Sequence, residues 1–435
     1  MNEKKRVLLF AAKLGYQTRS FQSAADRLGV EITYVTDRCS RLDDPWNDGA
    51  LAVHFELPEG AAARVLEAQR GLRVDGVLAV GDRPTVAAAH VARGLGLAHN
   101  HPASVEACRS KLRAREVLRD AGIPVPWFRS VKLEPLPEPS LLGIHYPCVL
   151  KPLSLSASQG VVRANNRDEF LAATVRLKRL LDSPEIRATR EPHLDQMLVE
   201  GYLGGQEVAV EALLTTGNLR VSAIFDKPDP LEGPYFEESI YVTPSRLPAS
   251  EQKAIESSLR RAIRALGLTH GPVHGEFRVN VEGVWPIEIA PRPIGGLCAR
   301  ALRFVVPAGG GAIALEELLL RQALEMDGSD AAREPEASGV MMIPVPRSGI
   351  LEKVEGEEQA RDTPGITGLE ITARLHDFIA AWPEGSSYLG FLFARGATPT
   401  EVEHALRQAH AKLRFTLSRR LPVEHPLSHT VPPRS

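Results

Sequence analysis

The chain has 435 residues, a formal net charge of -2, 43% hydrophobic and 24% charged residues. That length holds several domains of ordinary size, and the composition excludes general disorder. The near-neutral charge gives no ground for nucleic acid or an anionic membrane as partner. Cys39, Cys108, Cys148 and Cys298 form no CxxC pair, which disfavours structural zinc and a disulfide framework. No run approaches the ~20 apolar residues of a membrane span, so a soluble cytoplasmic protein is expected.

In chain order, residues 6–12, 30–35 and 74–80 read as strands, and residues 20–28 and 84–93 as helices ended by Gly29 and Gly94. This alternation predicts an open, Rossmann-like parallel sheet, and the absence of GxGxxG removes the reason to expect a dinucleotide there. Residues 104–122 predict one helix, capped by Ser104 and closed by Gly122. The break at residues 123–126 suits a hinge.

A smaller α+β unit follows: strands 146–152 and 160–163, helix 167–181 and strand 196–202. Beyond it, 207–214 alternates with Val208, Val210 and Ala212 on one face, and a turn at Thr216-Gly217-Asn218 leads to strand 219–225. Helix 251–266 and a hairpin over 276–289 complete this core. Pro- and Gly-rich residues 307–311 precede helix 314–326 and a polar linker, 327–337. A last unit, 338–421, holds short strands and a helix over 398–414. Residues 422–435 are expected to be a disordered tail.

The sharpest chemical signal lies in the hairpin. Val281-Glu282-Gly283 suits a three-residue loop that faces Asn280 with Val284 and sets Glu276 opposite Glu288. Two opposed carboxylates repel and call for a cation, and Mg²⁺ shared with phosphates would supply it. Arg292, four residues on, can neutralise charge in phosphoryl transfer, and Gly295 and Gly296 allow close approach of a ligand. Lys151 ends an apolar strand, where a lysine wants an anionic partner. The Ser/Gly loop after it, with Ser156, Ser158 and Gly160, can wrap a triphosphate. Tyr235, Phe236, Glu237 and Glu238 are candidates for substrate contact, and His274 reads as a satisfied core histidine.

In this order, Lys111, Lys151 with its loop, residues 196–207, Glu276, and Glu288 with Arg292 resemble the ATP-grasp superfamily. The resemblance implies an α/β ATP-grasp fold divided into an N-terminal domain (1–122), an α+β lid (123–203), a C-terminal core (204–330) and a C-terminal extension (331–421). It implies ATP with Mg²⁺ or Mn²⁺ as cofactors. Lys111, Lys151, Ser156, Ser158 and Gly160 would meet the phosphates. Glu200 would take the adenine amino group, Gly201, Tyr202 and Leu203 would frame the ring, and Glu207 would hold the ribose. Glu276 and Glu288 would be the metal ligands, and Arg292 the catalytic arginine.

The family's Asn two residues after the second metal ligand is Ala290 here, which leaves a non-catalytic ATP-binding regulatory protein open. Residues 337–415 resemble the L-amino-acid ligases, implying small-molecule carboxylate and amine substrates joined as an amide or dipeptide. Biotin carboxylases carry Gln and Glu where this chain has Ile294 and Gly296, which counts against a biotin-carboxylase-like enzyme. A homodimer is the expected assembly.

Overall fold

The computed structural model describes residues 4–12, 16–37, 50–139, 143–306 and 311–419. Cys39, most of the Pro/Gly-rich stretch and the 422–435 tail lie outside the described residues.

Val7, Leu8, Leu9 and Phe10 are fully buried, the mark of a strand covered on both faces. Their strand, Arg6–Ala11, lies second from the end of a parallel sheet in the order Leu51–Ala52, Glu31–Thr36, Arg6–Ala11, Gly76–Val80. Successive residues split between two cores. Val7 and Leu9 pack with helices Tyr16–Leu28 and Leu315–Ala323. Leu8 and Phe10 pack with Pro58–Ala68 and Thr85–Leu95. The parallel sheet is as expected, but one of its covering helices comes from residue 315 onward.

The lid is an antiparallel sheet, Phe128–Lys132, Gln196–Gly201, Cys148–Pro152 and Val162–Ala164. Helix Arg167–Leu181 covers it through Phe170, Ala173 and Leu177. Below lies an eight-stranded antiparallel sheet: Gly283–Ala290, Gly271–Asn280, Gln206–Thr215, Asn218–Asp226, Ile240–Thr243, Ala337–Ile343, Gly390–Gly396 and Ile366–Ile371. Pairing of Ile240–Thr243 with Ala337–Ile343 carries this sheet through residue 331, so the core and the extension share one continuous sheet.

Three local expectations change. The helix over 104–122 is two helices, Pro102–Arg109 and Lys111–Asp120, capped by His101 and Ser110 rather than Ser104. Ser110 is extended, and its hydroxyl accepts from Arg113 N–H at 3.3 Å; a serine that competes for backbone hydrogen bonds favours a cap over a helix interior. Strand Ala332–Arg333 interrupts the 327–337 linker by pairing with Arg303–Val305. The helix over 398–414 ends at His410, and Arg414–Ser418 becomes a strand beside Gly349–Glu355. In both cases a partner strand outweighs local propensity. No described helix is long and apolar enough to cross a membrane.

Candidate active site

Two adjoining cavities open between lid, large sheet and N-terminal sheet. The first is lined by Lys111, Arg115, Lys151, Glu200, Gly201, Tyr202, Leu203, Glu207, Glu276 and Glu288. The second, about 1480 Å³, shares Asp82 with the first and adds Glu238, Tyr241, His274, Arg292, Gly295, Gly296 and Tyr388. Ser156 and Ser158 line both, and Gly160 lies just behind them in the loop.

The break at Ser110 places Lys111 in the first turn of its helix, where its ammonium donates to the Leu155 carbonyl. Burial lowers its pKa, although Glu288 and Asp82 pull the other way. Arg115, four residues on, shares that helix face. Its Nε donates to Glu200 at 2.9 Å and its Nη1 to the Pro286 carbonyl at 3.2 Å. Lys151 pairs with the same Glu200. Burial opposes ionisation of Glu200, but the two cations outweigh it and hold the carboxyl at about 2. The carboxylate that the resemblance gives to adenine is thus engaged in an ion pair that orients Lys151. Arg115 escaped the sequence reading, although its spacing from Lys111 was a usable signal.

Around residues 199–203, the interdomain hinge implied by the resemblance, a Cβ on Gly201 would stand 2.7 Å from the Trp127 indole nitrogen, and one on Gly205 would stand 2.3 Å from the Val279 carbonyl. Glycine alone lets the strand pass there. Arg278 donates to the Leu203 carbonyl at 2.8 Å and to Glu207 at 2.9 Å. Arg163 lies 4.0 Å above the Tyr202 ring. The Arg278 side chain is buried and was not foreseen.

The hairpin corrects one expectation and keeps another. Asn280 pairs with Gly283 and Val279 with Val284, so the loop is the two residues Val281-Glu282. The strand pairing therefore starts one residue out of the expected register. A bulge at Ile287 restores it, and Glu276 faces Glu288 as expected. Pro286 sits beside that bulge on the edge strand, where a residue without N–H is tolerated.

Glu276 gathers more than one partner. Its carboxylate, with those of Glu207 and Glu238, offers oxygens within 4.8 Å of one another. Lys227, buried, reaches Glu207 at 2.7 Å, Glu276 at 3.2 Å, and Glu238. Burial and the neighbouring Glu276 and Glu207 outweigh Lys227 and push Glu238 up to about 7. Lys227 and His274 hold Glu276 well below the carboxylate range. Glu288 instead faces Arg292 at 3.7 Å. Lys227 and the place of Glu238 in this carboxylate group were not foreseen, because both lie on strands or loops distant in sequence from the hairpin.

His274 is indeed buried and satisfied by Glu211. Burial lowers its pKa, but Glu211 and Glu276 raise it to about 9. Glu211 also accepts from Ile294 N–H at 3.1 Å, fixing the Arg292–Gly296 turn. Arg292 is clasped by Asp82 at 2.6 Å. Asp82 follows strand Gly76–Val80 at the carboxyl end of the N-terminal sheet, 210 residues away, a pairing that no local pattern announces. Of the candidate substrate contacts, Phe236 lines the first cavity and Glu238 the second. Glu237 accepts from Val345 N–H at 3.0 Å, and Tyr235 turns outward to Arg176.

An ATP-grasp domain model matches residues 144–301, an ATP-grasp N-terminal domain model residues 21–99, and an L-amino acid ligase C-terminal domain 2 model residues 341–418. The chain belongs to the ATP-grasp superfamily. An L-amino acid ligase from Bacillus licheniformis is similar in structure, with a TM-score of 0.76 and 25% identity over 96% of this chain and 100% of that one. An uncharacterized protein of Sinorhizobium fredii is 25% identical over 75% of this chain and 65% of its own length. An ATP-grasp enzyme of Aspergillus fumigatus is 26% identical over 63% of this chain and 53% of its own. The chain therefore spans only 53% to 65% of these curated relatives.

Proposed function

We propose that this ATP-grasp protein joins a carboxylate to an amine at the expense of ATP, through an acyl phosphate, releasing ADP and phosphate. The observation that carries this is one cavity bounded by Lys111, Lys151, Glu276 and Glu288, cations for phosphates beside carboxylates for a hard cation. Adenine would lie against Tyr202 and Leu203, with the ribose near Glu207. Lys111, Lys151, Ser156, Ser158 and the backbone near Gly160 would receive the phosphates.

The donor set fits Mg²⁺. Several carboxylates converge on Lys227, and Glu238, whose one ion-pair partner among the described residues is that lysine, is the member pushed up. Glu276 and Glu288 would hold the ion, and Glu238 or Glu207 can supply the oxygen that Ala290 lacks. Bound there, Mg²⁺ would neutralise β- and γ-phosphate oxygens.

In the reaction a carboxylate oxygen attacks the γ-phosphorus, the bond to the bridging oxygen breaks, and ADP departs with that electron pair. The amine nitrogen then adds to the acyl carbon, the C–O bond to phosphate breaks, and the nitrogen loses its proton to water. Arg292, fixed by Asp82, would steady the transferred phosphoryl group and then the tetrahedral intermediate. The aromatic wall of Tyr241, Tyr388 and Phe391 beside Glu238 suits amino acids, the class named by the Bacillus licheniformis ligase.

The test is phosphate release with pools of amino acids, combined with an ¹⁸O-labelled carboxylate. Label should pass into phosphate only when carboxylate and amine are both present. ATP binding with no phosphate release from any pool would establish the non-catalytic alternative instead.

A further inference from the structure

The loop of residues 154–160 would cradle the phosphates, yet its conformation is not self-supporting. Ala157 and Ser158 take φ of 55° and 53° in succession, a left-handed pair that residues with a Cβ adopt only when held from outside. Two turn bonds form locally, Gln159 N–H to the Ser156 carbonyl at 3.2 Å and Val161 N–H to the Ser158 carbonyl at 3.1 Å. Lys111 and Pro192 hold the first residues, and the contacts on the second half come from one turn of the C-terminal extension. Trp382 donates its indole N–H to the Ala157 carbonyl at 3.2 Å. The Gly160 N–H donates to the Pro383 carbonyl at 2.7 Å. The Gln159 side-chain amide donates to the Glu384 carbonyl at 2.7 Å, and Arg176 braces the Glu384 carboxylate at 2.7 Å.

The same turn lies behind the wall of the second cavity. Trp382 is buried and packs on Tyr388 at 4.9 Å between ring centroids. Tyr388 lines the substrate side of the site. One indole thus stands between the loop that would hold the triphosphate and the wall that would hold a substrate.

We propose that residues 382–384 are a positioning element for the phosphate loop, and that Trp382 couples the loop's order to the occupant of the cavity beside Tyr388. The inference deepens the ligase reading and its kinetic half rests on it. In it the extension does more than complete the large sheet: it fixes Ser156 and Ser158, and a substrate seated on Tyr388 tightens the stack behind them. Trp382 touches neither nucleotide nor substrate, so its role is indirect.

The test compares wild type with Trp382→Phe, which keeps a ring on Tyr388 and removes the N–H donor. The measurements are amide hydrogen exchange over residues 154–161, with and without MgATP, and steady-state kinetics. Exchange in this segment should accelerate in the variant, and the KM for MgATP should rise about three- to tenfold, the scale of one lost hydrogen bond. Because coupling between two sites is reciprocal, an amino acid that slows exchange of this segment in wild type should slow it less in the variant.

Unchanged loop exchange would overturn the proposal, and so would a lowered thermal midpoint with unchanged loop exchange, which marks a merely structural tryptophan. Should Trp382→Phe fail to fold, Glu384→Gln, on a half-exposed side chain, should show the same acceleration to a smaller degree. Wild type that consumes no ATP with any pool would sink the ligase reading alone, because the exchange comparison still decides the positioning.

Discussion

Two charged groups beside the same cavity behave differently. Around Glu200, two cations meet one buried carboxylate, and the group is held as an anion with none of its charge in surplus. Around Lys227 three carboxylates converge, Glu207, Glu238 and Glu276. Arg278 also meets Glu207 and His274 faces Glu276, whereas Lys227 is the one cation paired with Glu238 among the described residues, and Glu238 is driven up toward neutrality. Buried charge costs several kcal/mol unless compensated. A fully compensated group is therefore scaffold, whereas a group left short of positive charge has room for another cation. On the Glu200 side the carboxylate is compensated by the protein itself, and the second cation there, Lys151, can meet a phosphate; the hairpin side would be completed by a bound cation.

Four experiments can break or sharpen this contrast. The largest effect is expected at the hairpin: Glu288→Ala should lower turnover by about 10³-fold while circular dichroism and thermal midpoint remain those of wild type. Activity within a few-fold of wild type would remove the metal assignment.

At the hinge the effect should fall on stability. Glu200→Gln leaves Arg115 buried without its anion and should cost about 3 kcal/mol in chemical denaturation. Because the folded-state pKa of Glu200 is depressed to about 2, its contribution is present above the ordinary carboxylate pKa and lost as pH falls toward 2. The gap between wild type and variant should accordingly narrow below pH ~4.5. A gap independent of pH would mean that packing, not charge, sustains Glu200.

A smaller loss is expected for Asp82→Asn, which weakens the clasp on Arg292. A fall in kcat of about tenfold with an unchanged KM for ATP is expected, as for a charged hydrogen bond acting on the transition state. A change confined to the KM for ATP would place Arg292 with the nucleotide instead. The smallest effect belongs to Ser110→Ala, which removes a helix cap worth about 1 kcal/mol; its thermal midpoint should drop with no change in kcat.

Much of the fold was legible because burial writes periodicity into the chain. The helix Arg167–Leu181 falls on the expected residues, since Asn166 caps it and its apolar spacing is regular. The parallel start was readable from strands apolar on both faces. Where legibility failed, the deciding partner lay far away. Ser110 looks like an ordinary helix residue until its cap is seen, and the helical pattern runs on to 414 until Gly349–Glu355 pairs with Arg414–Ser418. Glu276 opposite Glu288 was readable from the hairpin, although the loop and bulge that produce that register were not.

The sequence by itself determined which residue types could meet a nucleotide and a hard cation, because lysines in apolar strands and opposed carboxylates are chemically costly wherever they fall. Only the tertiary structure decided how those charges are shared: Arg115 and Lys151 on Glu200, Lys227 among three carboxylates, Asp82 on Arg292. Coulomb interactions depend on distance through space, and the partners here are 11 to 210 residues apart along the chain. Spacing in sequence carries almost no trace of them.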